Sequence, residues 1–180
     1  MFFLLDGRAR ATIFSSEGKV VAYRDIRTGD IFGEMSAIDG APRSASVVAA
    51  TELQVGVLSA AQFETMVDGS KSFRWALLRY FSHQARSMTQ RIFEFSTMLV
   101  RDRLILELLR LAGATDAQEG KFVIDPAPTH FDLAARISTH REAVSREMSL
   151  LTKRGLISKY SGSLHLHDVC GLRNNQSFQY

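Results

Sequence analysis

GDIFGEMSAIDGAPRSASV, Gly29 to Val47, sets an acid and an arginine at the two ends of a loop built from turn formers. Glu34 follows Gly33, Arg43 precedes Ser44, and Asp39, Gly40 and Pro42 lie between them. A plain surface turn needs neither charge. In a turn beside a short helix, backbone N–H groups of small residues converge on a phosphate. Gly33 permits the close approach, and Arg43 neutralises the anion with a fork-shaped, charge-assisted contact. Glu34 repels a phosphate, so it must serve a donor, and a ribose hydroxyl is the natural one. Phosphate and ribose together mean a nucleotide.

The chain around this loop has 180 residues, enough for one large or two small domains. At 46% hydrophobic and 23% charged it falls in the range of soluble globular proteins. No run of about 18 apolar residues is present, so no membrane span is expected. The opening MFFLL is too short for a signal-peptide core and is followed at once by Asp6 and Arg8. Cys170 is the single cysteine, which excludes an internal disulfide and argues against a thiolate metal site; a cytoplasmic location fits. The charge is uneven. Residues 1–70 hold 6 Lys/Arg and 9 Asp/Glu, residues 71–110 hold 8 and 3, and residues 129–180 hold 7 and 4. An acidic front and a basic back put any nucleic-acid contact in the second half.

Residues 1–58 have the pattern of strands and turns. RARATIF and KVVAYRDI alternate or run β-branched, Ser16-Glu17-Gly18 suits a hairpin turn, and SASVVAATELQVGVL supplies two more strands. From Ala60 to Gly113 the period becomes helical. Leu78, Phe81, Ala85, Met88, Ile92, Phe95 and Leu99 follow at intervals of 3, 4, 3, 4, 3 and 4, an a/d register that favours a coiled-coil partner over a helix packed only on its own core. Trp75, with Phe73 nearby, is expected to pack at the helix start. A break is expected near residues 96–101, with Ser96 and Thr97 as candidate caps. RDRLILELLRLAG then forms a second helix ending at Gly113. GATDAQEGK is a polar linker and KFVIDPAP a short strand.

In THFDLAARISTHREAVSREMSLLTKRGLI, Thr129 and Asp132 form an N-terminal cap with an acid in the first turn. Leu133, Ile137, Val144, Met148 and Leu151 mark the inward faces of two short helices joined by the tight turn ISTH. Arg141, Ser145 and Arg146 are left outward. GLISKYSGSLHLH turns at Ser161-Gly162, and His165 and His167 alternate with Leu164 and Leu166 as a wing's solvent face. Two helices, a tight turn and a trailing hairpin describe a winged helix-turn-helix.

The Gly29–Val47 stretch resembles the phosphate-binding cassette of cyclic-nucleotide-binding domains, and from about Phe2 to Leu172 the chain resembles the cAMP receptor protein/FNR (Crp/Fnr) family of bacterial transcription regulators. The resemblance implies that Glu34 takes the ribose 2′-hydroxyl and Arg43 the cyclic phosphate, with Gly33, Met35 and Ser44 lining the same site. It implies that the long helix is a dimer seam and that a polar residue on it reaches the purine; Thr89, beside Met88, is matched to that position. HREAVSR is similar to the recognition helix of the cAMP receptor branch, whose R-E-x-x-x-R pattern is filled by Arg141, Glu142 and Arg146. Arginine suits guanine O6 and N7, and glutamate accepts from cytosine N4. His140, Ser145 and Lys159 complete the candidate DNA-contacting set, with Lys153 and Arg154 as further phosphate contacts. The implied partner is palindromic double-stranded DNA with TGTGA-like half-sites, with RNA polymerase a candidate beside it.

The family's pattern begins with further N-terminal strands, so the roll is expected to be incomplete there. Ser138 stands where the helix-turn-helix corner often carries Gly, His140 where Ser or Thr often begins the recognition helix, and Leu99 where Asp often precedes the second helix. Thr139 is then the candidate cap for the recognition helix. The expected fold is α+β: a cyclic-nucleotide-binding β-roll over 1–72, a dimerisation helix over 73–99 and a winged helix-turn-helix over 100–180. The expected effector is cAMP or cGMP, with no metal. A regulator of the same type with a vestigial pocket, answering another signal, is the alternative. A nucleotide-acting enzyme fits less well, because no metal cluster or nucleophile–base pair accompanies Arg43.

Overall fold

In a computed structural model the chain is described over residues 1–16, 20–114 and 120–176. It divides into two compact units, Met1–Thr89 and Gln90–Tyr180.

The first unit holds six strands: β1 (Phe2–Asp6), β2 (Arg8–Phe14), β3 (Val20–Arg27), β4 (Ile31–Phe32), β5 (Ser46–Ala49) and β6 (Gln54–Val57). They form two antiparallel three-stranded sheets, ordered β4-β1-β6 and β3-β2-β5. Leu4, Ala9, Ala11 and Ile26 form the core between them, with Phe32 and Leu53 packed alongside. The alternation in RARATIF buries Ala9 and Ala11, then breaks. The register shifts between Ala11 and Thr12, so Thr12 turns inward and Ile13 is left 47% exposed. Gly7 joins β1 to β2 at φ +98°, where a Cβ would sit 2.2 Å from the Glu52 carbonyl, so only glycine fits. The expected turn at Ser16-Glu17-Gly18 falls partly outside the described residues.

The helical stretch from Ala60 is three helices. Helix α2 (Ala60–Gly69), which follows the short α1 (Met35–Asp39), starts on a reciprocal cap: Ser59 Oγ accepts from Gln62 N at 3.3 Å, and Gln62 Oε1 accepts from Ser59 N at 2.9 Å. It ends at Ser70, whose hydroxyl accepts from Phe73 N and so caps α3 (Lys71–Thr97). Phe73 packs edge-on to the buried Phe63, but Trp75, expected to pack at this start, is 53% exposed. The break before α4 (Val100–Leu111) falls where expected. Thr97 is not its cap: its hydroxyl donates back to the Phe93 carbonyl at 2.7 Å, and Leu99, the capping residue, has no side-chain acceptor. Gly113 lies at φ +66°, one residue past the helix C-cap.

The second unit packs α4, α5 (His130–Arg136) and α6 (Arg141–Lys153) over a three-stranded antiparallel sheet, β7 (Phe122–Ile124), β8 (Ile157–Tyr160) and β9 (Ser163–Leu166), ordered β7-β9-β8. Helix α7 (Val169–Asn174) follows the sheet. Leu133, Ile137, Val144, Met148 and Leu151, the inward faces expected from their spacing, meet Leu104 and Leu108 in one apolar core. Thr129 and Asp132 form a reciprocal cap on α5. The α5–α6 corner needs a left-handed residue, and Ser138 supplies it at φ +52°. Ser161 and Gly162, both at positive φ, make the two-residue turn between β8 and β9. Leu164 and Leu166 are buried, while His165 and His167 are half-exposed. Part of the expected linker, residues 115–119, lies outside the described residues. Among the described residues no helix is long and apolar enough to cross a membrane.

Candidate functional site

Strand β4 and helix α1 bring the two ends of the Gly33–Arg43 loop together. Gly33 lies at φ +68°, and a Cβ there would come within 2.6 Å of Arg43 Nη1. Glycine thus lets the arginine lie over the backbone. Arg43 Nη1 donates to the Gly33 carbonyl at 2.9 Å, and its guanidinium sits 5.7 Å from the Phe2 ring centroid. The residue is exposed, and no carboxylate pairs with it among the described residues. Glu34 is the opposite: 7% exposed, at the start of α1. Both line one cavity of about 210 Å³, together with Gly33, Met35 and Ser44. The Ser44 hydroxyl is 3.7 Å from Met35 Sδ. A buried acceptor and an exposed cation on one small cavity can hold an anion that carries a hydroxyl.

Thr89 is not part of this constellation. Its hydroxyl donates to the Ala85 carbonyl at 3.0 Å, and it does not line the cavity. Tyr80 of α3 does bond to the cassette, and Gln84 bonds to Tyr80 in turn; sequence reasoning assigned neither to the site. The Tyr80 hydroxyl donates to Glu34 Oε1 at 3.0 Å. Arg24 of β3, which lines the cavity, donates to the same hydroxyl and to the Ile31 carbonyl, and its guanidinium lies 5.3 Å from the Tyr80 ring centroid. The Gln84 amide lies 3.1 Å from the Tyr80 oxygen; turned with its carbonyl toward Arg24, it accepts from that guanidinium at 3.0 and 3.1 Å. Burial, with the Glu34 bond and charge adding to it, pushes the Tyr80 phenol above its usual range, so it stays a protonated donor at neutral pH.

In the second unit, α6 presents Arg141, Glu142 and Arg146 as exposed side chains, with Ser145 half-buried between them. His140 is the N-cap residue and makes no side-chain cap. Thr139 does not lead the helix: its N–H closes the α5 turn on the Ala134 carbonyl. A cleft of about 930 Å³ is lined by Arg141, Lys153 and Lys159 together with Thr129 and His130 at the start of α5. Glu142, Ser145 and Arg146 do not line it. Arg154 is instead bonded to the Asn175 side chain. Three cations on one cleft beside an exposed helix form a surface suited to a polyanion.

Comparisons with known proteins match residues 1–70 to the cyclic nucleotide-binding domain and residues 102–174 to the Crp-like helix-turn-helix domain. The chain is 28% identical over 172 residues to the transcriptional regulator SdrP of Thermus thermophilus, covering 94% of this chain and 80% of the relative. It is 22% identical over 165 residues to the cAMP-activated global transcriptional regulator CRP of Salmonella typhimurium, covering 91% and 79%. A crystal structure of a CRP/FNR-family transcriptional regulator from Thermus thermophilus superposes with a TM-score of 0.77 at 26% identity, covering 96% of this chain and 85% of that one. A nucleotide-binding roll followed by a helix-turn-helix defines a DNA-binding transcription regulator, not an enzyme. The chain belongs to the Crp/Fnr family.

Proposed function

We propose that the protein is a dimeric transcription regulator gated by a cyclic nucleotide, cAMP first, held in the Gly33–Ser44 cassette. Arg43 takes the cyclic phosphate and Glu34 the ribose 2′-hydroxyl, with Gly33, Met35 and Ser44 around them. The observation that carries this reading is the pairing of a buried carboxylate with an exposed, carboxylate-free arginine on one cavity. That relatives such as the regulator of Salmonella typhimurium are named cAMP-activated supports cAMP over cGMP. Two copies meet along Leu78, Met88 and Ile92, which one chain leaves exposed. The pair then reads a palindrome with α6 in the major groove: Arg141 and Arg146 over guanines, Glu142 over a cytosine, and His140, Ser145 and Lys159 beside them.

Titration calorimetry with cAMP and cGMP tests the gate. Saturable 1:1 binding of cAMP per chain, tighter than cGMP, supports it. Binding of neither leaves a regulator of the same family answering another signal.

A further inference from the structure

Glu34 accepts a hydrogen bond from a residue 46 positions later in the chain, on the long helix. Its second oxygen, Oε2, has no hydrogen-bond partner among the described residues, and the side chain lines the cavity. The Tyr80 hydroxyl is itself oriented: Arg24 donates to its oxygen, and its hydrogen points to Glu34 at 3.0 Å, with the turned Gln84 carbonyl a second acceptor at 3.1 Å. We infer that Tyr80 is the positioning residue for the ribose contact, fixing one oxygen of Glu34 so that the other meets the ligand and tying ribose recognition to α3.

This role of Tyr80 rests on a cyclic nucleotide being the ligand of the cassette. A buried carboxylate with no hydrogen bond keeps several rotamers; an anchor on one oxygen selects among them. A charge-assisted bond to a ribose hydroxyl is strongest when the acceptor is held in place before the ligand arrives. The anchor lies on α3, so a ligand that engages Glu34 acts on the helix through one hydrogen bond. Arg24 plays the supporting part, with its other nitrogen bound to the Ile31 carbonyl just ahead of the cassette.

The test compares cAMP with 2′-deoxy-cAMP, which keeps base and phosphate and lacks only the hydroxyl, by calorimetry on the full chain. Wild type should prefer cAMP by about tenfold or more, the worth of one hydrogen bond to a charged group. Tyr80→Phe keeps the ring and removes the hydroxyl. It should bring the preference to within about threefold by weakening cAMP while leaving 2′-deoxy-cAMP unchanged. Glu34→Gln should collapse the preference in the same way, and adding Tyr80→Phe to it should change the ratio no further. A Tyr80→Phe variant that weakens both ligands alike, or keeps the wild-type ratio, overturns the inference. A wild type with no preference removes the ribose role of Glu34, and this inference with it, while leaving Arg43 its phosphate. A wild type that binds neither compound removes the cyclic-nucleotide reading itself.

Discussion

Arg136 donates to Glu107 at 3.1 Å, with the two side chains only 8% and 2% exposed. Glu107 also meets Arg91 at 2.9 Å and Arg110 at 3.4 Å, and Arg110 bonds in turn to the buried Glu94. One carboxylate thus joins α3, α4 and α5 inside the second unit. The two partners should therefore fail unequally. Glu107→Ala takes away the one buried carboxylate that Arg91, Arg110 and Arg136 share and should cost about 3–5 kcal/mol. Arg136→Ala leaves Glu107 two other arginines and should cost roughly 1–3 kcal/mol. Urea unfolding of both variants checks the order, and a larger loss for Arg136→Ala would contradict it.

Ile92 is 66% exposed, Leu78 56% and Met88 48%, all on the seam of α3. Covering each against a twin helix is worth roughly 1.5–3 kcal/mol. The wild type should sediment as a dimer at micromolar concentration, and Ile92→Lys as a monomer with unchanged helix content. A monomeric wild type would rule out the seam.

Arg43→Leu should abolish cAMP binding, a loss of at least about 1.5–3 kcal/mol. Its melting temperature should stay within a degree or two of wild type, because an exposed loop arginine supports no core. Equal cAMP affinity in wild type and variant would take the phosphate from Arg43.

The architecture was legible because each part carries a period or a paired motif. The 3-4 seam gave α3, the Thr129–Asp132 cap gave α5, and the Ser161-Gly162 pair gave the last hairpin. The bulge after Ala11 was not legible, since strict alternation sends Ile13 inward and only the register with β3 shows otherwise. Short α7 lacked the length for a periodic signal. At the site, the cassette gathers Gly33, Glu34, Arg43 and Ser44 because they are near in sequence. Tyr80, Gln84 and Arg24 join them from distant elements, and nothing local marks a tyrosine as the partner of an acid 46 residues away. Thr97 misled because a threonine near a helix end bonds back to its own helix as readily as it caps the next.

The basic surface of the second unit should divide its labour. Arg141→Ala should cost roughly 1–3 kcal/mol and relax preference at one base pair. Lys159→Ala should weaken all sequences alike and shallow the salt dependence by about one unit. Selection from random duplexes checks both. Wild type should recover a palindrome with half-sites about 34–36 Å apart, and an unchanged motif for Arg141→Ala would remove α6 as the reader.

The claim that joins the two units is that a ligand in the cassette sets affinity for DNA. Fluorescence anisotropy of a labelled duplex with two TGTGA half-sites, titrated with protein with and without saturating cAMP, measures it directly. Affinity should rise at least about tenfold with cAMP, a coupling of about 1.4 kcal/mol or more, while a scrambled duplex should gain nothing. Superimposable curves with cAMP, with cGMP and without nucleotide would contradict gating by a cyclic nucleotide.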